Sequence, residues 1–257
     1  MTMTAASDPL AGLTFAFAPL SGAVEHGLAQ QSGSAQSRAR WLLEAVVAGL
    51  ARDGAPLALA DLTLAQFDAL LAAFYRVHYD DVMPAQARCG GCDEPFEISF
   101  RLSDVQARLA VGAADFAGDP HGALTAPSGR VFRLPRVADL AALDPARPEA
   151  WLRALLVDGP FDAEGLQDEI AQAGPVLSQD ITAACPDCGH GNAIRFDLAG
   201  FLVQTLDGEA AFLWREVHLL ARHYGWALGD ILSLPRGVRR QLAGLIVVDA
   251  PRVRLAS

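Results

Sequence analysis

Two short cysteine turns constrain this chain more than any other feature. The first reads Ala87-Arg88-Cys89-Gly90-Gly91-Cys92-Asp93 and the second Ala183-Ala184-Cys185-Pro186-Asp187-Cys188-Gly189; together they hold all four cysteines. The correspondence runs past the turns. Ile98, Phe100 and Leu102 follow the first pair at the offsets where Ile194, Phe196 and Leu198 follow the second. Such I-x-F-x-L alternation gives a strand one apolar face. Each half is expected to be a tight Cys turn feeding a strand. Two halves set back to back supply the four-thiolate cage that zinc prefers, with the strands as a small ribbon. Gly90, Gly91 and Gly189 let the backbone close tightly around an ion, and Pro186 pre-sets its turn.

One structural Zn2+ held by Cys89, Cys92, Cys185 and Cys188 is therefore the leading expectation. A C-x-x-C redox pair is the main rival, but thioredoxin-like motifs open a helix whereas these open strands. Disulfides or unrelated buried thiols are further alternatives. His190, two residues beyond Cys188, is a possible competing ligand, yet four thiolates already complete a closed site. A closed site leaves no position for a catalytic water, so the metal is expected to be structural.

A chain of 257 residues can bury a substantial core, and 52% hydrophobic residues mark it as globular. Its apolar runs are broken by charge within about ten residues, too short for a membrane span. Residues 1–9 lack a basic n-region and an apolar h-region, so no secretion signal is expected. Thiols arranged as C-x-x-C then imply synthesis in a reducing cytoplasm. All 20 basic residues are arginine, and the net charge of −10 repels nucleic-acid phosphates. The charge is uneven: residues 201–257 carry seven arginines against five acids, leaving −12 for residues 1–200. A basic tail on an acidic body suits docking, although solvated charge alone explains it as well.

The expected fold class is α+β and mostly helical. It comprises a split four-Cys ribbon, a helical insertion between its knuckles and a C-terminal helical unit. Residues 1–36 read as an N-terminal arm, with Leu13 to Phe17 as an edge strand and Gln30 to Gln36 as a flexible linker. Residues 37–86 read as a helical hairpin. Its first helix is capped by Ser37, and its second by a Thr63/Gln66 capping box. The ribbon takes 87–102 and 181–200. The insertion, 103–180, is expected to be mainly helical. A Ser103/Gln106 capping box opens it, a strand follows at Gly129 to Pro135, and helices follow near 136–143, 148–157 and 162–172. Residues 201–257 form the C-terminal unit, with a helix from about Asp207 to Tyr224. His218 and His223 on it are five apart, which reads as packing or hydrogen bonding rather than metal ligation. A last helix is expected to bury Val238, Leu242, Leu245 and Ile246 and to expose Arg236, Arg239 and Arg240. Residues 249–257 read as a loose tail.

The chain contains no P-loop, no G-x-G-x-x-G, no H-E-x-x-H and no G-x-S-x-G, and no small-molecule substrate is inferred. The acidic pairs Asp80-Asp81 and Asp168-Glu169 read as solvated charge. Nothing supports an enzyme. The C-terminal helices instead concentrate aromatic and arginine residues, the types enriched as interface anchors. Trp214, Arg215, Trp226, Arg236, Arg239 and Arg240 are the candidate partner-binding residues.

Several segments carry a family resemblance in their order. They are F-Y-R-x-x-Y-x-D (Phe74 to Asp81), the first C-x-x-C with F-x-I-x-F, R-L-P-x-x-x-D-L (Arg133 to Leu140), C-P-x-C-G, and the stretch from Phe212 to Leu242. Together they resemble the cysteine-knuckle baseplate proteins of T4-like contractile phage tails and related contractile injection systems, over about residues 40–248. The resemblance implies a non-enzymatic structural or assembly component, stiffened by zinc and contacting other baseplate or tail proteins. It allows incorporation into a phage tail or tail-like particle and leaves open whether the protein stays in the finished particle or leaves after assembly. The alternative is a zinc-ribbon adaptor for nucleic acid or transcription machinery. Around the knuckles, however, Arg88, Arg101 and Arg195 face Asp93, Glu94, Glu97, Asp187 and Asp197, and that balance disfavours it.

Overall fold

A computed structural model describes residues 9–109, 116–119, 122–144 and 146–249. In chain order the elements begin with β1 (Leu13–Phe17), α1 (Gly22–Gln30), α2 (Ala35–Val46), β2 (Val47–Arg52), β3 (Ala55–Pro56) and α3 (Leu64–His78). The first hairpin, β4 (Val82–Arg88) and β5 (Pro95–Arg101), leads into α4 (Leu102–Leu109). Then come β6 (Ala117–Gly118), β7 (Ala123–Thr125), β8 (Val131–Arg133), α5 (Pro148–Leu155), β9 (Leu156–Asp158) and α6 (Ala163–Ala173). The second hairpin, β10 (Ser178–Ala184) and β11 (Gly191–Asp197), feeds α7 (Leu198–Tyr224), α8 (Leu228–Ser233) and α9 (Arg236–Asp249). The fold is thus mixed helix and strand, as the α+β expectation required. No described helix is long and apolar enough to cross a membrane.

Two compact units emerge: the described parts of Met1–Phe15 with Gly49–Leu198, and of Ala16–Ala48 with Ala199–Ser257. The second gathers α1, α2, most of α7, α8 and α9. This corrects two expectations. Within the expected arm, the described residues 9–36 hold β1, α1 and the start of α2: Ser21 caps α1 by accepting from the Val24 N–H, and Leu20 and Leu28 are each 1% exposed. The residues expected as one helical hairpin are divided, since α2 lies in the second unit and α3 in the first. Helix α2 begins after Ser34 and stops at Val46, after which Val47–Arg52 is strand.

In the first unit, α3 opens on the expected capping box, with Thr63 accepting from the Gln66 N–H and Gln66 from the Thr63 N–H. Phe67, Leu70, Leu71 and Phe74 make its buried face. The insertion is less helical than expected. It contains a four-stranded antiparallel sheet of order β6-β7-β8-β9, with Phe132 at its centre packed with Leu152, Leu155, Leu166 and Ile170. Strand β8 and helices α5 and α6 lie where the sequence placed them, and residues 137–142 form a 3-10 helix. The Ser103/Gln106 box is absent. The Ser103 hydroxyl donates to Asp81 at 2.6 Å instead, and Gln106 accepts from Arg76.

In the second unit, Leu213, Val217, Leu220, Ile231 and Ile246 form the core. The last helix is rotated from the expected register. Val238 and Leu245 are 43% and 50% exposed, while Arg239 is 1% exposed. The sequence-predicted tail beyond residue 249 lies outside the described residues.

Candidate metal centre

The two hairpins are the same structure written twice. Ala85 pairs with Ile98 in the first, and Ile181 with Ile194 in the second. In the first turn the Cys89 N–H donates to Glu94 and the Asp93 N–H to Cys89, both at 3.0 Å. In the second, the Cys185 N–H donates to His190 at 2.8 Å and the Gly189 N–H to Cys185 at 3.0 Å. Asp93 and Gly189 hold the same left-handed backbone, with φ of 63° and 75°. That conformation suits Gly and is tolerated by Asp. The strands expected to follow the knuckles are present. So are the strands that precede them, β4 and β10, which start before the expected ribbon: residues 82–86 fall in the expected helical hairpin and residues 178–180 in the expected insertion.

The sequence brings the knuckles together as expected. Cys89 Sγ lies 3.6 Å from Cys188 Sγ, and Cys92 Sγ lies 3.8 Å from Cys185 Sγ. All four sulfurs lie within 4.8 Å of one another, and each cysteine is a free thiol. A disulfide needs sulfurs about 2.05 Å apart. A tetrahedral ion with sulfur bonds of about 2.3 Å needs them about 3.8 Å apart. The donor set and its spacing fit a metal ion. Cys89 and Cys185 are 2% exposed, sealed by Phe96, Ile98 and Ile194, whereas Cys92 and Cys188 face solvent. Phe100 and Phe196, equivalent residues of the two halves, meet edge to face at 5.0 Å.

The electrostatics show why such a cluster calls for a cation. The N–H groups of Cys92 and, more weakly, Gly91 lower the Cys89 thiol to about 6. The Glu94 amide favours a Cys92 thiolate too, but the sulfurs of Cys188, Cys89 and Cys185 together with burial push it up to about 12. Four thiols this close cannot all ionise without a compensating charge, and a divalent ion supplies it.

His190 is outside the ligand set. It packs on the first knuckle: a Cβ at Gly91 would lie 3.0 Å from the His190 Cβ and Cγ, so a side chain there would push His190 aside by a few tenths of an ångström. Asn192 was missed from sequence. It is buried, it accepts from the Gly90 N–H at 2.8 Å, and it donates to the His190 carbonyl at 2.9 Å. Superposing the two repeats exposes it, because the matching residue of the first half is Phe96.

The proposed partner-binding residues divide. Trp214, Arg215 and Trp226 are exposed, and Trp226 stacks on Tyr224 at 5.0 Å. Arg240 is also exposed and reaches Glu209 at 3.2 Å. Arg236 and Arg239 are corrections to the expectation of an outward arginine face. Arg236 is 6% exposed and pairs with Glu25 and Glu209, both at 2.6 Å. Arg239 pairs with Glu25 and with Glu216, the latter at 2.7 Å. The physical reason is charge closure: carboxylates on α1 and α7 neutralise guanidiniums that the apolar pattern of α9 alone would have sent outward. Gly22 belongs to the same arrangement, since a Cβ there would sit 2.8 Å from Arg239 Nη1. His218 and His223 are exposed, and the His223 ring meets Tyr224 edge to face at 5.1 Å. Compared with known proteins, the chain matches no family model, no curated protein and no solved structure.

Proposed function

We propose that the chain is a zinc-stabilised, non-enzymatic component or assembly factor of a contractile tail or injection-system baseplate, acting through protein contacts. The observation that carries the structural-metal part is the closed thiol set, whose sulfur spacings of 3.6 and 3.8 Å suit a tetrahedral ion. Zinc is the ion that most often takes four cysteines from two C-x-x-C turns. Once all four sulfurs are engaged, no coordination position remains for substrate or water, so the ion would clasp the two ends of an insertion of about 90 residues and lower its loop entropy.

The baseplate part rests on the order of the segments from Phe74 to Leu242. The C-terminal unit supports contact work: Phe212, Trp214, Tyr224, Trp226, Leu228, Val238 and Leu245 are all exposed there. Aromatic anchors on a pre-ordered surface bind with little ordering cost.

Two measurements test the reading. Elemental analysis of the purified protein should give one zinc per chain; iron in its place, or a reversible disulfide, would sink the zinc assignment. Deleting the gene from the phage or tail-producing strain that encodes it should abolish contractile particles in electron micrographs, and complementation should restore them. Normal, contraction-competent particles in the deletion strain would overturn the baseplate role while leaving the metal untouched.

A further inference from the structure

The centre has one polar side chain that its internal repeat does not explain. The two halves share turn hydrogen bonds, strand register and a left-handed residue after the second cysteine, yet Phe96 in the first becomes Asn192 in the second. Phe96 is 5% exposed and clusters with Cys89 and Cys185, which is what an apolar residue at that place should do. Asn192 is 8% exposed. A carboxamide buried there without partners would be costly, so its hydrogen bonds bear on its role.

All of its capacity is directed at the two knuckles. Its Oδ1 accepts from the Gly90 N–H of the opposite hairpin at 2.8 Å. Its Nδ2 donates to the His190 carbonyl of its own turn at 2.9 Å, and the same Nδ2 lies 3.8 Å from the Cys89 Sγ of the opposite hairpin. The reverse amide orientation would set oxygen against the His190 carbonyl and nitrogen against the Gly90 N–H, so the donor must face the sulfur. Cys89 Sγ also receives the Gly91 N–H at 3.3 Å. Both hydrogen bonds from Asn192 to the other hairpin end on the segment that carries Cys89, and it is the one side chain among the described residues shown bonding across the knuckles apart from the cysteines themselves.

We propose that Asn192 is a positioning residue of the metal centre: it ties the second knuckle to the first and holds the Cys89 sulfur, by an N–H donor, in the place where the ion binds. The inference rests on the four-cysteine metal reading above. Residues that orient a ligand from behind in this way commonly change metal affinity by roughly 10- to 100-fold when removed. A donor to a thiolate also withdraws charge from the sulfur, so its loss changes the sulfur-to-metal bond itself.

The test uses the full-length chain, Co2+ as an optical probe and a chromophoric chelator in competition. Wild type should give the absorption of tetrahedral cobalt with four thiolates. Asn192→Leu, apolar like its counterpart Phe96, should keep that coordination but bind cobalt roughly 10- to 100-fold more weakly, with a displaced sulfur-to-cobalt charge-transfer band. Asn192→Asp keeps an acceptor for the Gly90 N–H and loses the donor, so it should shift the band in the same sense. If either variant is unfolded without metal, metal-coupled refolding reads the same affinity. Phe132→Leu, in the separate core of the β6–β9 sheet, disturbs packing without touching the cysteine cluster and should leave the band where it is. Equal affinity and an unmoved band in both Asn192 variants would overturn the proposal while the metal reading stands. A wild-type protein without the four-thiolate spectrum would overturn the metal reading, and the role of Asn192 with it.

Discussion

The cysteine centre of one unit and the arginine–glutamate network of the other solve the same problem, charged groups inside a small core, in opposite ways. In the second unit three guanidiniums, Arg236, Arg239 and Arg240, meet three carboxylates, Glu25, Glu209 and Glu216, and the set is electrically closed. In the first, four sulfurs within 4.8 Å are donors of one kind, and full ionisation would leave them with like charges at close range. The network needs only the fold to bring its parts together; the thiol centre, once fully ionised, would call for an ion from outside. The two regions should therefore fail under different treatments.

The largest expected effect is metal loss. A structural zinc of the kind proposed supplies on the order of 10 kcal/mol of apparent binding energy, so Cys89→Ser, Cys188→Ser or a strong chelator should lower the melting temperature sharply. Hydrogen exchange should show β4, β5, β10 and β11 losing protection while α9 keeps its own. An unchanged melt and unchanged exchange after chelation would remove the contrast altogether.

Removing one partner of a buried ion pair leaves the other stranded, at a cost of about 3–5 kcal/mol. Arg239→Met should show that loss in urea unfolding of the metal-loaded protein, with metal content unaffected. Full retention of stability would mean that the network is peripheral. Next comes Gly91→Ala, where the new methyl meets His190 at 3.0 Å; a destabilisation of about 1–3 kcal/mol is expected from overpacking of this kind, together with weaker metal binding.

A subtler difference concerns pH. Burial raises the Asp68 carboxyl to about 7, against the lowering effect of the Leu177 N–H that donates to it at 2.7 Å, and Asp197 raises it further. An acid whose folded value exceeds its unfolded value keeps its proton in the native state while the unfolded chain releases one. Its contribution to stability thus falls as pH rises from about 4 to about 7 and is level above that. Asp68→Asn should flatten this part of the stability profile of the metal-loaded protein; an unaltered slope would show that Asp68 titrates normally. The smallest effect is reserved for the surface of the second unit. Arg40 and Glu44, a solvent-exposed pair at 2.8 Å, should lose less than about 1 kcal/mol on Arg40→Ala.

The metal centre was legible because metal ligation by C-x-x-C is local. Each pair needs only one turn, the strand alternation after it is local too, and the second copy repeats the first. The arginine network was not legible, although Glu216, Arg236 and Arg239 all lie in the stretch from Phe212 to Leu242 that carried the family resemblance. Glu25 lies 214 positions before Arg239, on a helix within the expected arm. Without Glu25 in view, Arg239 looked like one more exposed charge, and Val238 and Leu245 were assigned to the core in its place. Asn192 was hidden for a related reason: its value depends on Gly90 and Cys89, which reach it only when the hairpins meet.

Taken alone, the sequence determined what is set by residue type and short spacing: four thiols in two matched turns, the alternation of the strands that follow them, and the Thr63 cap. The tertiary structure alone decided which arginines turn inward, where the last helix places its apolar residues, and which side chain stands behind Cys89. The physical reason is reach. A turn or a cap is settled by neighbours a few bonds away, whereas a buried charge or carboxamide is tolerated only where distant segments deliver its partners.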